Sequence, residues 1–317
     1  MNAFDWIAQI LGILAAVLAA PLFLGWVNQW RAWLQNKSAP SILLPYRGIR
    51  KLFHKDAVIA ANASQLFRFA PYVVFGAMVT AAAIIPSIAT RLPFARAADA
   101  IALVGLFATA RVFVSLAAMD VGTAFGTLGA RREMMIGFLA EPALLMVIFV
   151  ASLINATTAL PRISELLATQ SLALHPSLAF TAVAFTMVLL AENARIPVDN
   201  PATHLELTMI HEALLLEYSA RHLALMEWAA ALKLFNYVCI GFALFIPWGM
   251  TTGHTPLGLA AALLFLGLKL AVAGIGIALI ETVSAKLRVF RAPEFLATAF
   301  LFAVLGLLVR LLLGTSA

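Results

Sequence analysis

The sequence contains little charge and almost no thiol: Cys239 is its single cysteine, and only 11% of its 317 residues are Asp, Glu, Lys or Arg. One thiol excludes an internal disulfide, an iron–sulfur cluster held by this chain alone and a cysteine-based zinc site. Soluble domains carry about 25% charged residues, so a water-soluble globule is excluded. Intrinsic disorder is excluded too, because disordered chains lack the apolar residues that are abundant here.

Apolar residues make up 63% of the chain and occur in long runs. A helix needs about 20 such residues to cross a hydrocarbon core of roughly 30 Å. Because barrel strands alternate apolar and polar residues instead, the runs predict an all-α polytopic membrane protein with a single transmembrane domain over 1–317. Without a basic leader or a small-residue cleavage pattern, the first run is predicted to be a retained helix. Eight blocks are predicted, at about 4–26, 69–89, 99–119, 135–156, 176–194, 222–248, 257–281 and 294–313.

Basic residues accumulate in alternate loops. Fourteen Lys and Arg lie in loops at about 28–68, 120–134, 192–221 and 282–293, against three in the opposite loops. This asymmetry predicts that these four loops are cytoplasmic and that both termini lie outside. It also matches anionic lipid headgroups, so membrane lipids are expected partners and nucleic acid is not. Tyr46, Ile49 and Phe53 share one face of a basic stretch, which predicts an amphipathic interfacial helix over 46–55; a solvated loop is the alternative.

Several ionisable residues fall inside the predicted helices, where each costs several kcal/mol unless it is paired or hydrated. Arg111 and Asp120 are nine residues apart, about 900° of helix, so Arg111 needs a partner on another helix or subunit. Glu133 and Glu141 lie within about 80° of each other and can share one hydrated face. Structural ion pairs are the alternative for each of these residues. The remaining ionisable residues inside the predicted helices are Glu227, Lys233, Lys269 and Glu281.

The connection between the fifth and sixth blocks is rich in acid. Crowded carboxylates at a membrane boundary repel one another and lose hydration, so some hold protons near neutral pH and form a proton route with water. A metal site at His204 and His211 competes with this interpretation, but their spacing of seven lacks the pattern that places two ligands on one helix turn, and we predict no bound metal. The acids are Glu192, Asp199, Glu206, Glu212, Glu217 and Glu227.

This segment resembles a known family. Glu192, Arg195, Pro197 and Asp199, followed by Glu206 and 217–219, resemble the loop of the respiratory complex I membrane subunit that is called subunit 1 in mitochondria. The runs 194–212 and 221–228 are closer to the hydrogenase-4 and formate hydrogenlyase branch. The resemblance extends to 37–46, 132–142 and 286–294. Ser38-Ala39 stands where the family usually carries glycine, and Ala220 stands where many relatives do; glycine reaches backbone conformations that alanine avoids.

The resemblance implies a membrane anchor and coupling subunit of an energy-converting hydrogenase-type complex in a bacterial or archaeal cytoplasmic (inner) membrane. The implied partners are peripheral hydrogenase-like large and small subunits, iron–sulfur subunits and antiporter-like membrane subunits. The nickel–iron centre and iron–sulfur clusters would lie in those partners, and this chain would bind no cofactor. A quinone-chamber subunit of complex I, with quinone bound, is the second candidate, and a stand-alone proton-coupled transporter is the third.

The resemblance also implies a pathway for protons or sodium. Charge changes at the cytoplasmic side shift the pKa of neighbouring carboxylates, at about 1.4 kcal/mol per unit, and coupled carboxylates pass the shift along. We expect Arg195 and Arg111 to organise this pathway, and Lys233 and Lys269 to extend it or to hold helices together. Glu192, Asp199, Glu206 and Glu212 are the expected cavity-side acids, and Glu217, Glu227 and Glu141 the inner ones. Glu133, which shares a face with Glu141, is also expected to belong to the pathway.

Overall fold

The computed structural model describes residues 3–94, 99–169, 176–199, 210–253, 255–285, 287 and 291–314. Over these ranges the chain folds into helices, with one isolated β-bridge between Ala89 and Thr251 and no strand. In chain order the helices are α1 (Ala3–Leu34), α2 (Leu44–Phe53), α3 (Gln65–Ile84), α4 (Ala100–Asp120), α5 (Ala124–Asn155), α6 (Leu160–Thr169), α7 (Ser177–Glu192), α8 (His211–Leu215), α9 (Ala220–Phe245), α10 (Pro256–Val283) and α11 (Ala292–Gly314).

Seven of the described helices, α1, α3, α4, α5, α9, α10 and α11, are long and apolar enough to cross a membrane. The apolar helix α7 is shorter, with 16 residues. These eight helices lie at the eight predicted blocks, so the predicted fold class, an all-α polytopic membrane protein, is confirmed.

Two helices extend well beyond the apolar blocks that predicted them. Helix α5 begins at Ala124, behind Thr123, whose side chain accepts the N–H of Gly126. The loop predicted at about 120–134 is therefore wrong over most of its length. Hydropathy falls at Arg131 and Arg132, but the backbone hydrogen bonds that define a helix continue through them. Helix α1 likewise continues to Leu34.

The amphipathic helix predicted in the first loop is confirmed as α2, which begins two residues earlier than expected. Pro45 lies in its first turn, where the missing N–H of proline costs nothing. Ile49 is buried while Arg47 and Arg50 are exposed. Helix α2 packs against α1 and α9, so this loop is not a merely solvated segment.

Helix α9 lies at the centre of the bundle. In its most apolar stretch 72% of the residues are buried, against 28% in α10 and 22% in α11. It packs against α1, α3 and α7, while α4 packs between α3 and α5, and α7 and α11 cover the other side of α5. Charged residues on the inner faces of α4, α5, α7 and α9 therefore meet in the core.

A proline inside α1 fixes the position of α9. Pro21 has no N–H, so the carbonyl of Val17 lacks its partner within the helix. The indole Nε1 of Trp228, on α9, donates to that carbonyl at 2.9 Å. The Trp228 ring also makes edge contacts with Phe53 of α2 and Phe75 of α3, so one side chain connects four helices.

A second proline fixes the position of the segment before α9. Pro71 lies inside α3 and leaves the carbonyl of Phe67 without a helical partner. The Tyr218 hydroxyl donates to that carbonyl at 3.2 Å, and its ring stacks on Phe67. The acidic segment and α9 are thus each attached to a helix in which a proline has interrupted the backbone hydrogen bonding.

Candidate functional site

Arg111, in α4, is buried among carboxylates from two other helices. Its Nε donates to Glu133 Oε1 at 3.3 Å, and its two terminal nitrogens donate to Glu141 and Glu192. Glu133 and Glu141 come from one face of α5, as their spacing predicted, and Glu192 is the last residue of α7. The prediction that Arg111 pairs with another helix is confirmed.

Lys233, on α9, completes this group: its Nζ lies 2.9 Å from Glu192 Oε2. We call Arg111, Glu133, Glu141, Glu192 and Lys233 the buried charge cluster. With all five ionised, three carboxylates face two cations, and uptake of one proton brings the cluster to neutrality. The Glu192 side chain is 1% exposed, whereas that of Glu141 is 32% exposed, so the cluster reaches the surface of this chain at Glu141.

Gly137 makes room for the cluster and was not predicted. A Cβ at this position would lie 2.7 Å from Cδ of Arg111 and 2.8 Å from its Cζ, closer than real Cβ atoms come. Gly137 is four residues from both Glu133 and Glu141, one turn away in each direction on the same face of α5. That spacing is the sequence signal that could have identified it.

A second buried ion group lies near the end of α10. Glu281, whose side chain is fully buried, accepts from Arg195 at 3.0 Å and from Arg31 at 3.4 Å. Arg195 was expected to help organise the pathway, and among the described residues its ion-pair partner is Glu281. Sequence spacing could not identify this pair, because 86 residues separate the two side chains.

A cavity of about 510 Å³, which we call the large cavity, lies between α1, α2, α8, α9 and the residues that follow α7. Four of the predicted pathway residues, Arg195, Asp199, Glu212 and Glu227, line it together with Arg31 and His211. Glu227, which was predicted to lie further inward, lines the large cavity as well. Of the four acids predicted on the cavity side, Asp199 and Glu212 line it, and Glu206 lies outside the described residues. Glu192 belongs instead to the buried charge cluster.

Asp199 and the short helix α8 position His211 at this cavity. Asp199 is buried, and its Oδ2 accepts the backbone N–H groups of Ile210 at 3.3 Å and His211 at 3.2 Å. The carboxylate thus binds the N–H groups at the start of α8, as an N-terminal capping residue does. Burial lowers the pKa of His211, and the Glu133 carboxylate opposes that shift only in part.

A smaller cavity of about 40 Å³, the small cavity, lies between α3, α4, α5, α8 and α9. Arg111, Glu133 and Lys233 of the buried charge cluster line it, and so does His211. Most of its wall is apolar, but these four polar side chains can bind water, and a space of this size has room for a few water molecules. The two cavities share two lining residues, His211 and Ala230.

The remaining predicted residues lie elsewhere. Glu206 is outside the described residues. Glu217 lies between α8 and α9, partly exposed, and lines neither cavity. Lys269 donates to the carbonyl of Ile246, at the end of α9, at 2.6 Å, and its Nζ lies 5.6 Å from the centre of the Phe242 ring. A cation at a helix C-terminus holds helices together, so this contact fits the structural alternative for Lys269.

The structure also bears on metal binding. In the part of the chain that the structure describes, no three His, Cys, Asp or Glu side chains come close enough to hold a metal ion. His204, which raised the question, lies outside that part. Cys239 is a free, buried thiol in α9.

Ala220, which the resemblance places at a position expected to be glycine, has a left-handed backbone with a φ of 48°. That conformation costs a residue with a Cβ atom about 1–2 kcal/mol in the folded state. Glycine avoids this cost, but it makes the unfolded chain more flexible, which lowers the free energy of unfolding by about 0.4–1 kcal/mol. We expect Ala220→Gly to raise the free energy of unfolding by about 0.5–1 kcal/mol, measured as a higher melting temperature in detergent. Ala224→Gly, inside α9, should lower it. A lower melting temperature for Ala220→Gly would contradict the left-handed backbone.

Helices of membrane-spanning length around paired, buried charges define the class: a multi-pass helical membrane protein with a charged core beside a cavity. The pattern of the NADH dehydrogenase family matches residues 8–312, and the chain belongs to this family. The resemblance to subunit 1 of complex I and its relatives, inferred from the acidic segment, is therefore confirmed.

Relatives within the family are subunits of hydrogenase complexes by name. The chain is 33% identical over 287 residues to formate hydrogenlyase subunit 4 of Escherichia coli (strain K12), covering 90% of this chain and 92% of that protein. It is 35% identical over 234 residues to hydrogenase-4 component C of the same organism, covering 74% and 73%. Among solved structures, a chain of the membrane-bound sulfane sulfur reductase, an archaeal respiratory membrane complex, shares the fold with a TM-score of 0.81 at 20% identity, over 95% of this chain and 98% of that one.

Proposed function

We propose that this chain is the membrane anchor and coupling subunit of an energy-converting complex of the hydrogenase-4 and formate hydrogenlyase type. The buried charge cluster behind an acid-lined cavity is the observation that carries the proposal. The similarity to two hydrogenase-complex subunits over most of the chain supports it. Hydrogenase-like large and small subunits and iron–sulfur subunits would hold the nickel–iron centre and the clusters.

The order of the groups from cavity to core explains how coupling would work. A charge change at the mouth of the large cavity acts first on Asp199, Glu212 and Glu227. At an effective dielectric constant near 20, unit charges about 4 Å apart interact by about 4 kcal/mol, enough to change proton occupancy. Occupancy of the buried charge cluster then changes, and Glu141 is its exposed end. An antiporter-like membrane subunit would receive the signal at that surface.

The location follows from the same proposal. The large cavity and α2 would face the cytoplasm, since the loops that form them carry most of the basic residues. Both termini would then lie on the outer side of a bacterial or archaeal inner membrane. Anionic lipid headgroups would surround the exposed Arg47 and Arg50 of α2.

The volume of the large cavity supports a second candidate, a quinone chamber. Small-molecule sites span about 300–1,000 Å³ and combine apolar walls with a few polar groups. The large cavity fits both criteria, with Leu24, Leu44 and Ile49 beside its charged residues. A copurifying large subunit that retains its nickel–iron cysteine ligands selects the hydrogenase function, and one that has lost them selects quinone chemistry.

Replacement of Glu227 by glutamine tests the proposal. Glu227 lines the large cavity, and the amide keeps its shape but cannot exchange a proton. We expect the number of ions moved per electron pair to fall by about tenfold while the complex still assembles, because a site that binds no proton cannot pass one on. Ion uptake and electron transfer are measured together in inverted membrane vesicles.

The control for this test is Glu165→Gln. Glu165 lies on α6, paired with the exposed Arg162, and lines neither cavity. The Glu165→Gln variant should leave the ratio of ions to electrons unchanged. A wild-type ratio in Glu227→Gln would contradict the proposed coupling role.

A further inference from the structure

We propose that His211 is the residue through which protons pass between the large cavity and the buried charge cluster. This inference rests on the proposed function, because it assigns one step of the coupling to a side chain. In the sequence, His211 stands out only as a possible metal ligand, and its context gives no reason to separate it from the other two histidines of the segment.

The proposal is based on the residues that line both cavities. His211 and Ala230 line both cavities, and alanine has no group that binds or releases a proton. Glu212 and Glu227 line the large cavity only, whereas Arg111, Glu133 and Lys233 line the small cavity only. Of the described side chains that border both spaces, His211 is thus the one that can carry a proton across.

Charged groups surround His211 from every packed element. Glu133 of α5, Lys233 of α9, Asp199 after α7 and its own neighbour Glu212 all act on its charge. Helix α8 packs on α5 and α4, and Arg111 of α4 lines the small cavity with His211. On the other side, Arg31, Arg195 and Glu227 line the large cavity with it. A protonated ring would therefore have carboxylates on both sides.

The chemistry of imidazole suits this position. Burial favours the neutral ring, which has one bare nitrogen and one N–H. The bare nitrogen accepts a proton from a hydronium ion or an acid in the large cavity, which gives an imidazolium ion. The other nitrogen then releases its proton to water or to Glu133 in the small cavity. The ring is neutral again in its second tautomer, and one proton has moved with no other change in charge.

The backbone holds the ring in place without depending on it. Asp199 binds the N–H of His211, a contact that any residue other than proline keeps at this position. A substitution of the side chain therefore leaves the capping of α8 intact. This separation allows a proton-transfer role to be distinguished from a structural one.

The test uses the intact complex with His211→Asn and the matched control His222→Asn. His222 is buried, makes an edge contact with Tyr72 and lines neither cavity. In His211→Asn we expect ion translocation to fall by about tenfold or more, equivalent to about 1.4 kcal/mol, with assembly unchanged. In His222→Asn translocation should remain at the wild-type level. Equal losses in both variants would refute the relay.

Imidazole rescue adds a measurement that a structural role cannot reproduce. His211→Ala leaves a space in the shared wall of the cavities where the imidazole ring was. Imidazole added to the vesicles can occupy this space and should restore translocation in proportion to its concentration. Absence of rescue in an assembled His211→Ala complex would overturn the proposal. If His211→Asn, His211→Gln and His211→Ala all fail to assemble, with or without imidazole, His211 is structural and the relay is refuted.

Glu227→Gln separates this inference from the proposed function. Loss of coupling in Glu227→Gln together with wild-type coupling in His211→Asn refutes the relay alone. Wild-type coupling in both variants refutes the proposed function itself.

Discussion

Replacing Arg111 by alanine is expected to prevent assembly of the protein. The guanidinium group contacts three carboxylates of the buried charge cluster, and its loss leaves Lys233, which pairs with Glu192, as the one remaining cation of that cluster. Removing one partner of a buried ion pair costs about 3–5 kcal/mol, a large share of the roughly 5–15 kcal/mol that typically stabilises a folded protein. The yield of assembled complex and its melting temperature in detergent measure the effect.

Arg162→Ala is the matched control for this change. Arg162 also pairs with a glutamate, Glu165 at 2.7 Å, but its side chain is 57% exposed. Exposed pairs contribute about 0–1 kcal/mol, so yield and melting temperature should stay close to the wild type. If Arg111→Ala behaves like Arg162→Ala, the cluster is not a buried ion network.

The second large effect is expected for Gly137→Ala. The added methyl group would overlap the Arg111 side chain, which three carboxylates hold and which cannot move without losing them. Overpacking of this kind costs about 1–3 kcal/mol. We therefore expect a lower melting temperature and fewer ions moved per electron pair, since displacement of Arg111 changes the charge around Glu133 and Glu141.

Gly105→Ala serves as the comparison for Gly137→Ala. Gly105 lies inside α4, and a Cβ there meets no atom within 4 Å. Because alanine favours a helix interior over glycine by about 1 kcal/mol, this variant should be as stable as the wild type or more so. A stable, fully coupled Gly137→Ala protein would show that Arg111 does not lie against α5 at this position.

The sequence predicts the fold well because membrane crossing depends on local composition. A run of about 20 apolar residues has few other structures open to it in a bilayer, so all eight apolar helices could be located. Helix ends were harder to predict. Arg131, Arg132 and Glu133 lie in the third turn of α5, and hydropathy does not distinguish a charged helical turn from a charged loop.

The candidate site could be predicted in part, because helix geometry determines which side chains share a face. The spacing of Arg111 from Asp120 requires a partner on another helix, and helix geometry places Glu133 and Glu141 on one face. The partner of Arg195 could not be found in this way, because Glu281 lies 86 residues away and only the packing of α10 brings it near. His211 has no distinguishing sequence signal, since its role depends on where two cavities meet.

A density map of the purified complex is the most direct test of the central claim, that titratable groups at the cytoplasmic side respond to redox chemistry in a neighbouring subunit. We expect a redox subunit seated over the large cavity, with ordered water between Glu227, His211 and Glu133. A map with lipid in the large cavity, no water in the small one and no redox subunit above them would contradict it.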